Sequence, residues 1–304
     1  MSQGLLLVVS CFLSVFILFM YFSFGWFSDN RSVDGTGMQV VVKGPDYEIL
    51  TLENGSNGIY YDDYHAGVKD SSSMIWQMTD ESNMSNYDNS ESNNSIHPGS
   101  YGVVSFYVRP FKDSIDLDFT FEIIGYAAEE NNNEITMTQL DSSDSPAQYL
   151  NGHILLFETR GGTDGDYTYS NPITSNEEMK RIVSEKEYTG SGEATLVNIY
   201  WVWPQTLSDL VDARSCTKVD VSKTPFTYAD TTSYNAVVNN IINYPDFYFD
   251  GVDRPTDDSE KLSATDIATD YNVYGDYYDR ADNEIGMGVN YVVLKVSTNV
   301  SLEE

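Results

Sequence analysis

Basic side chains are scarce: 16 Lys and Arg stand against 47 Asp and Glu, for a formal charge of −31. A polyanion of this kind has too few cations to displace the counterions of a nucleic acid, and no polybasic patch with which to dock on anionic lipid. Cysteine is nearly missing, with two in the whole chain, Cys11 and Cys216. Two thiols, one of them inside an apolar N-terminal run, exclude a disulfide framework and a Cys-built zinc site. Only three histidines occur, His65, His97 and His153. The H-E-x-x-H, G-x-S-x-G, Walker and G-x-G-x-x-G patterns are all absent. Cys216 has basic neighbours, Arg214 and Lys218, but no sequence-evident histidine to activate it. The chain therefore reads as non-enzymatic, with no organic cofactor. Apolar material is plentiful, at 41% hydrophobic and 13% aromatic residues, too rich for a disordered acidic tail.

The N-terminus sets the compartment. Residues 4–27 run for 24 positions without a charge, and a helix of about 20 residues spans the hydrocarbon core of a bilayer. Residues 1–27 are therefore expected to be a signal peptide, cut after Ser23-Phe24-Gly25, or a retained signal-anchor helix that ties the chain to the membrane. All charged side chains lie at Asp29 or later, which suits the outer face of a membrane better than an anionic cytoplasmic leaflet. An extracellular or cell-surface location is expected.

Beyond the junction at 28–37 the dominant period is two. Ile115, Leu117, Phe119, Phe121 and Ile123 alternate with Asp116, Asp118, Thr120 and Glu122, the pattern of a half-buried strand with an acidic solvent face. Further strands are expected at 40–42, 102–109, 152–158, 194–203 and 288–300. Strands joined by long polar connections, without strand–helix–strand alternation, point to a mainly β fold, an antiparallel β-sandwich. Helical stripes are inserted between them: Tyr234, Val237, Val238, Ile241 and Ile242, closed by Pro245; Ile267, Tyr271, Tyr274, Tyr278 and Ala281; and a short one at Leu207, Leu210 and Val211. Residues 28–304 are read as one acidic domain with a flexible loop at about 65–98, where the 80–97 stretch is mostly Ser, Asn and acids and cannot offset its ordering entropy.

The candidate sites are carboxylate clusters. Asp250, Asp253, Asp257, Asp258 and Glu260 crowd one segment, and hard oxygen donors of this kind suit calcium. Asp164 and Asp166 flank Gly165. Neither group matches the D-x-[DN]-x-[DN]-G calcium loop, and solvated surface is the competing reading in so acidic a chain. His153 is expected to open a strand as a half-buried sheet residue. His65 and His97 are expected in polar loops.

Residues 22–43 (FSFGWFSDNRSVDGTGMQVVVK) carry Trp26-Phe27-Ser28-Asp29 after a small-residue cleavage region, and this resembles the TasA/camelysin family of exported Gram-positive proteins. The segment His97-Pro98-Gly99-Ser100 before a strand, the alternating strand from 115, the Trp-Val-Trp-Pro at 201–204 and the stretch 277–294 look similar too. The chain departs from the family in lacking a basic n-region and in carrying extra stretches at 65–98 and 205–285. The resemblance implies a jelly-roll sandwich, export by the general secretory route, and self-association into matrix fibres in which a freed N-terminal segment adds as a strand to the next subunit. Met38, Gln39, Val40, Val41 and Val42 would be that donor strand, hinged at Gly35-Thr36-Gly37; the same five residues also read as an ordinary intramolecular strand. The alternative is a membrane-anchored adhesin or carbohydrate-binding module, stabilised by calcium at 250–260 and using exposed tyrosines.

Overall fold

The computed structural model describes residues 34–35, 38–39, 46–50, 73–78, 80, 96–131, 134–211, 227–257 and 259–300. Contacts divide the chain into two units, Met1–Asp46 and Tyr47–Glu304. In the first, strand β1 (Asp34–Gly35) pairs antiparallel with β2 (Met38–Gln39), Gly35 opposite Met38 and Asp34 opposite Gln39. The apolar run at 4–27 and Val40–Val42 lie outside the described residues. Among the described residues no helix is long and apolar enough to cross a membrane.

The second unit is mainly β. Its strands are β3 (Tyr47–Leu50), β4 (Ser73–Gln77), β5 (Tyr101–Pro110), β6 (Ser114–Asn131), β7 (Glu134–Gln139), β8 (Leu155–Thr163), β9 (Asp166–Ile173), β10 (Arg181–Thr189), β11 (Thr195–Val202), β12 (Thr227–Tyr228) and β13 (Tyr291–Val300). One sheet runs β10-β6-β13-β4, with β7 folded back on β6; the other runs β12-β9-β8-β11-β5-β3. Every pairing in these two sheets is antiparallel except the short β12–β9 contact.

The two sheets share one core. Ile115, Leu117, Phe119, Phe121 and Ile123 of β6 are all buried, meeting Val104, Phe106 and Val108 of β5 and Val197, Ile199 and Trp201 of β11 from the opposite sheet. Ring contacts stitch across the layers, Phe106 to Phe119 at 5.7 Å and Trp76 to Phe106 at 5.5 Å. The period of two in the sequence is the direct cause, since it commits one face of each strand to this interior.

Helices cover the other face of the second sheet and also reach the shared core, where Tyr149, Leu150, Ala281 and Ile285 are buried. They are α1 (Ser145–His153), α2 (Leu207–Leu210), α3 (Thr231–Asn243), α4 (Ala264–Thr269) and α5 (Tyr271–Gly288), with a 3-10 turn at Pro245–Phe247. Val237 and Ile241 of α3, Ile267 of α4 and Tyr278 of α5 join Leu155, Phe157, Tyr169 and Val202 in a second core. Burial on both faces is why Ile154–Phe157 reads as an unbroken apolar run, as two-sided strands do. Caps fix the helix starts: Asp230 accepts from the Ser233 amide, and Ser263 and Asp266 form a reciprocal capping box.

Three sequence expectations change. His153 does not open a strand; it ends helix α1 and is fully buried, the strand starting at Leu155. The start signal was present, because Pro146 sits in the first helical turn. Ser73–Gln77, inside the stretch expected to be a loop, forms β4 and pairs with β13. The stripe from Ile267 to Ala281 is two helices broken at Asp270, whose backbone is non-helical.

The C-terminal turn of α1 touches the 3-10 turn so closely that a Cβ on Gly152 would stand 2.3 Å from the Phe247 carbonyl oxygen. Gly152→Ala is therefore expected to destabilise the domain by roughly 1–3 kcal/mol, the usual cost of overpacking. Urea unfolding would measure it, and an unchanged midpoint would refute the close approach.

Candidate functional site

Strand β11 (TLVNIYWV) points Val197, Ile199 and Trp201 inward and leaves Leu196, Asn198 and Tyr200 on the other face. Along its whole length it pairs with β5, from Thr195 opposite Val108 to Val202 opposite Tyr101. With β8 it pairs only at Tyr200, Trp201 and Val202, opposite Phe157, Leu156 and Leu155. From Glu158 onward β8 leaves β11 and continues with β9 to Thr163. Residues 195–199 therefore present backbone on the β8 side that no described strand pairs.

Local sequence explains the fork. The β8–β9 hairpin closes at Asp164-Gly165, and Gly162 and Gly165 take positive φ values of 83° and 82°. The Gly162 position is closed to any side chain, because a Cβ would fall 2.2 Å from the Asp166 carbonyl oxygen. Arg160 lies over the Tyr167 ring at 4.1 Å and the Tyr200 ring at 4.7 Å, which holds the hairpin against the far end of β11. Asp164 is thus a hairpin-tip residue, accepting from the Tyr101 hydroxyl at 2.7 Å.

The notch so formed is a cleft of about 440 Å³ lined by Glu158, Lys186–Thr189, Thr195–Asn198 and Tyr200. Its floor comes from the other sheet. Lys186 of β10 reaches Glu158 of β8 at 3.1 Å, a half-exposed pair worth at most about 1 kcal/mol. Tyr188 is 5% exposed and its hydroxyl makes no hydrogen bond. Burial, and then the nearby Glu158 charge, push that phenol well above the usual tyrosine range. The cleft thus combines an open backbone edge, an apolar wall at Val197 and Leu196, and one unsatisfied hydroxyl. Nothing in it resembles a nucleophile with an activating base.

Sequence reasoning missed Glu158, Lys186 and Tyr188. Strand β10 (RIVSEKEYT) lacks clean alternation because its register slips between Val183 and Lys186, and Glu185 takes a positive φ of 59° there.

Three of the five proposed calcium ligands, Asp250, Asp257 and Glu260, have hydrogen-bond partners of their own. Asp250 accepts from Arg280 Nε at 2.8 Å and from the Tyr149 hydroxyl at 3.1 Å. Burial, together with the Asp250 hydrogen bond and charge, raises the Tyr149 phenol to about 12. Asp257 accepts from the Ser259 hydroxyl and amide, and Glu260 from Thr256 in the same way; these hydrogen bonds hold both carboxyls below the usual range. Asp253 is exposed, and Asp258 lies outside the described residues. Among the described residues no group of three His, Cys, Asp or Glu is placed to hold a metal ion. His97 sits exposed in a turn, its Nδ1 2.9 Å from the Pro98 carbonyl; His65 and Cys216 lie outside the described residues. Of the assembly residues, Met38 and Gln39 pair with Gly35 and Asp34.

The most elaborate polar grouping is buried and surrounds the C-terminal turn of α1. His153 Nδ1 is 2.6 Å from Asp282 Oδ1, and its Nε2 is 3.0 Å from the Tyr248 carbonyl oxygen. Asp282 also accepts from the Trp203 indole at 2.8 Å. Arg181, 2% exposed, donates through Nη2 to the Asn151 and Ile154 carbonyls.

Searches against protein-family models, curated proteins and solved structures find no match to this chain.

Proposed function

We propose that the chain is a non-enzymatic, exported cell-surface or extracellular-matrix protein of a Gram-positive bacterium, which assembles by lending its N-terminal strand to a second copy. The observation that carries this reading is the open edge of β11 at residues 195–199. An exposed edge of this kind is a template for an added strand, whose backbone supplies affinity while alternate side chains set register. The edge takes five extended residues, about 17 Å at the rise of a β-strand, and Met38–Val42 is a five-residue segment without a charge. In a chain of net charge −31 few segments can approach a cleft holding Glu158 and Glu187 without repulsion. Alternation would set Met38, Val40 and Val42 on one face and Gln39 and Val41 on the other.

The strand order also favours a jelly roll. With β3, β7 and β12 set aside as additions, the eight remaining strands alternate early and late members in each sheet, β4-β13-β6-β10 and β5-β11-β8-β9, the arrangement of two interleaved Greek keys. This agrees with the fold expected of the TasA/camelysin resemblance. Export rests on residues 4–27, and the membrane is a partner if that run is retained.

Deleting residues 26–42 is expected to abolish concentration-dependent assembly, read by sedimentation, and to leave the β-type circular dichroism unchanged. A synthetic peptide of residues 36–43 should bind the truncated protein and block assembly of the longer one. Assembly by the truncated protein would overturn the proposal, and unfolding would show that the segment belongs to its own core. Assembly that survives EDTA separates this reading from a calcium-held adhesin.

A further inference from the structure

Arg181 opens β10 opposite Phe121 and carries its charge into the interior. The residue is 2% exposed, and its Nη2 donates to the Asn151 and Ile154 carbonyls at the end of α1. Its Nε makes no hydrogen bond. Among the described residues, the one ionisable group that acts on this charge is the Tyr248 phenol. Burial raises that phenol well above the usual tyrosine range, so it stays neutral. The guanidinium itself falls only to about 10 and remains a cation at neutral pH. A helix C-terminus supplies roughly half a negative charge, so about half of the guanidinium charge is left without a counter-charge. Burial makes that remainder costly.

A cavity of about 10 Å³ adjoins the guanidinium, and its polar wall is made of Arg181, Asn151, Ser175, Asn240 and Tyr248. There is room for about one particle of the size of a water, and a sulfate, phosphate or carboxylate is too large. The wall is joined by one run of hydrogen bonds. The Tyr248 hydroxyl donates to Asn240 Oδ1 at 2.8 Å, and Asn240 Nδ2 donates to the Ser175 carbonyl at 2.7 Å. The Ser175 hydroxyl donates to Asn151 Oδ1 at 3.1 Å, and Asn151 Nδ2 donates to the Ala147 carbonyl at 3.4 Å. A carbonyl cannot donate, so these contacts fix the orientation of both amides. Each amide oxygen already accepts, and each amide nitrogen keeps a second N–H. Together with Nε, the wall has a surplus of donors. A water would need acceptors for its own two hydrogens, whereas a halide ion only accepts. The net charge of −31 opposes an anion at long range, but salt screens that field over about 10 Å and screens a buried contact far less.

We propose that this cavity is a halide site: one chloride ion, held by the Arg181 Nε–H and the spare amide N–H groups of the wall, completes the counter-charge of the guanidinium. The ion would join the end of α1 to β10 and, through Asn240, to α3. Those elements come together only in the folded chain, so chloride stabilises the native state by mass action.

The test uses crystals of the intact chain grown in sodium bromide, since bromide takes the place of chloride and is located by its anomalous scattering. The expected result is a buried bromide peak in the cavity, within hydrogen-bond reach of Arg181 Nε. A water there and no bromide would overturn the proposal. In solution, unfolding is followed as chloride replaces gluconate at constant ionic strength, which holds screening fixed and leaves an anion too large to enter. Each tenfold rise in chloride above its dissociation constant should shift the folding equilibrium about tenfold toward the native state. Arg181→Met keeps most of the volume, removes the Nε–H and should abolish that shift. Equal chloride shifts in the wild type and Arg181→Met would overturn the proposal as well. Should that variant fail to fold, the bromide map decides by itself.

Discussion

Trp201→Ala is expected to remove about 3–5 kcal/mol of unfolding free energy, the range for deleting a fully buried tryptophan. The indole is 1% exposed and stands where the two halves of its sheet still meet, opposite Gly102 of β5 and Leu156 of β8. Gly102 has no side chain, so on the β5 side no neighbour stands beside the indole to swing in and fill a void. The cavity would open immediately before the fork of β8 and β11, and the notch should loosen with it. At about 2–4 °C per kcal/mol for a domain of this size, the melting temperature should fall by roughly 6–20 °C. Thermal and urea unfolding with unchanged far-UV dichroism would confirm the loss. A change below about 1 kcal/mol would mean that the site collapses freely.

Arg181 gives a second large effect, with a contrast between two substitutions. Its guanidinium is fully buried without a carboxylate, and Nε makes no hydrogen bond. The carbonyls of Asn151 and Ile154, at the C-terminus of α1, act as its counter-charge. Burial lowers the group to about 10, so the buried charge opposes folding at neutral pH, and that penalty is relieved only as pH climbs past the native value. The two charge-assisted hydrogen bonds to the α1 carbonyls hold the guanidinium charged despite its burial. Arg181→Met keeps most of the volume and sheds the charge, and is expected to cost about 1–2 kcal/mol. Arg181→Ala adds a cavity and is expected to cost about 3–5 kcal/mol. Equal losses in the two variants would show that the carbonyl bonds outweigh volume at this site.

Much of the sandwich was legible because period-two patterning is a local property. Ile115 to Ile123 alternated without a break, and every apolar member lies in the shared core. The stripes at 234–242 and 207–211 were legible for the same reason in helical form. Strand β10 was not, because a bulge shifts its alternation at Glu185. Helix α1 was hidden by the apolar run that follows it. His153 was misplaced with it, since a helix end and a strand start differ there by two residues.

The candidate site divides along the same line. Composition argued against nucleic acid and a disulfide framework, the common nucleophile motifs do not occur in the sequence, and the segment at 38–42 was singled out by the family resemblance. The carboxylates at 250–260 were visible as a cluster, but their partners were not: Asp257 and Glu260 accept within short turns and Asp250 pairs with Arg280. The notch has no counterpart in the one-dimensional pattern. It exists because β8 follows β9 rather than β11 beyond Phe157, and because β10 of the other sheet passes beneath. The hydrogen bond between His153 and Asp282 joins residues 129 positions apart. The sequence by itself determined the charge, the apolar N-terminal run, the strand faces and the helix stripes, each set by neighbours along the chain. Tertiary structure alone decided which edge no described strand pairs and which buried polar groups meet, because both depend on distances that only the packing of sheet on sheet and helix on sheet creates.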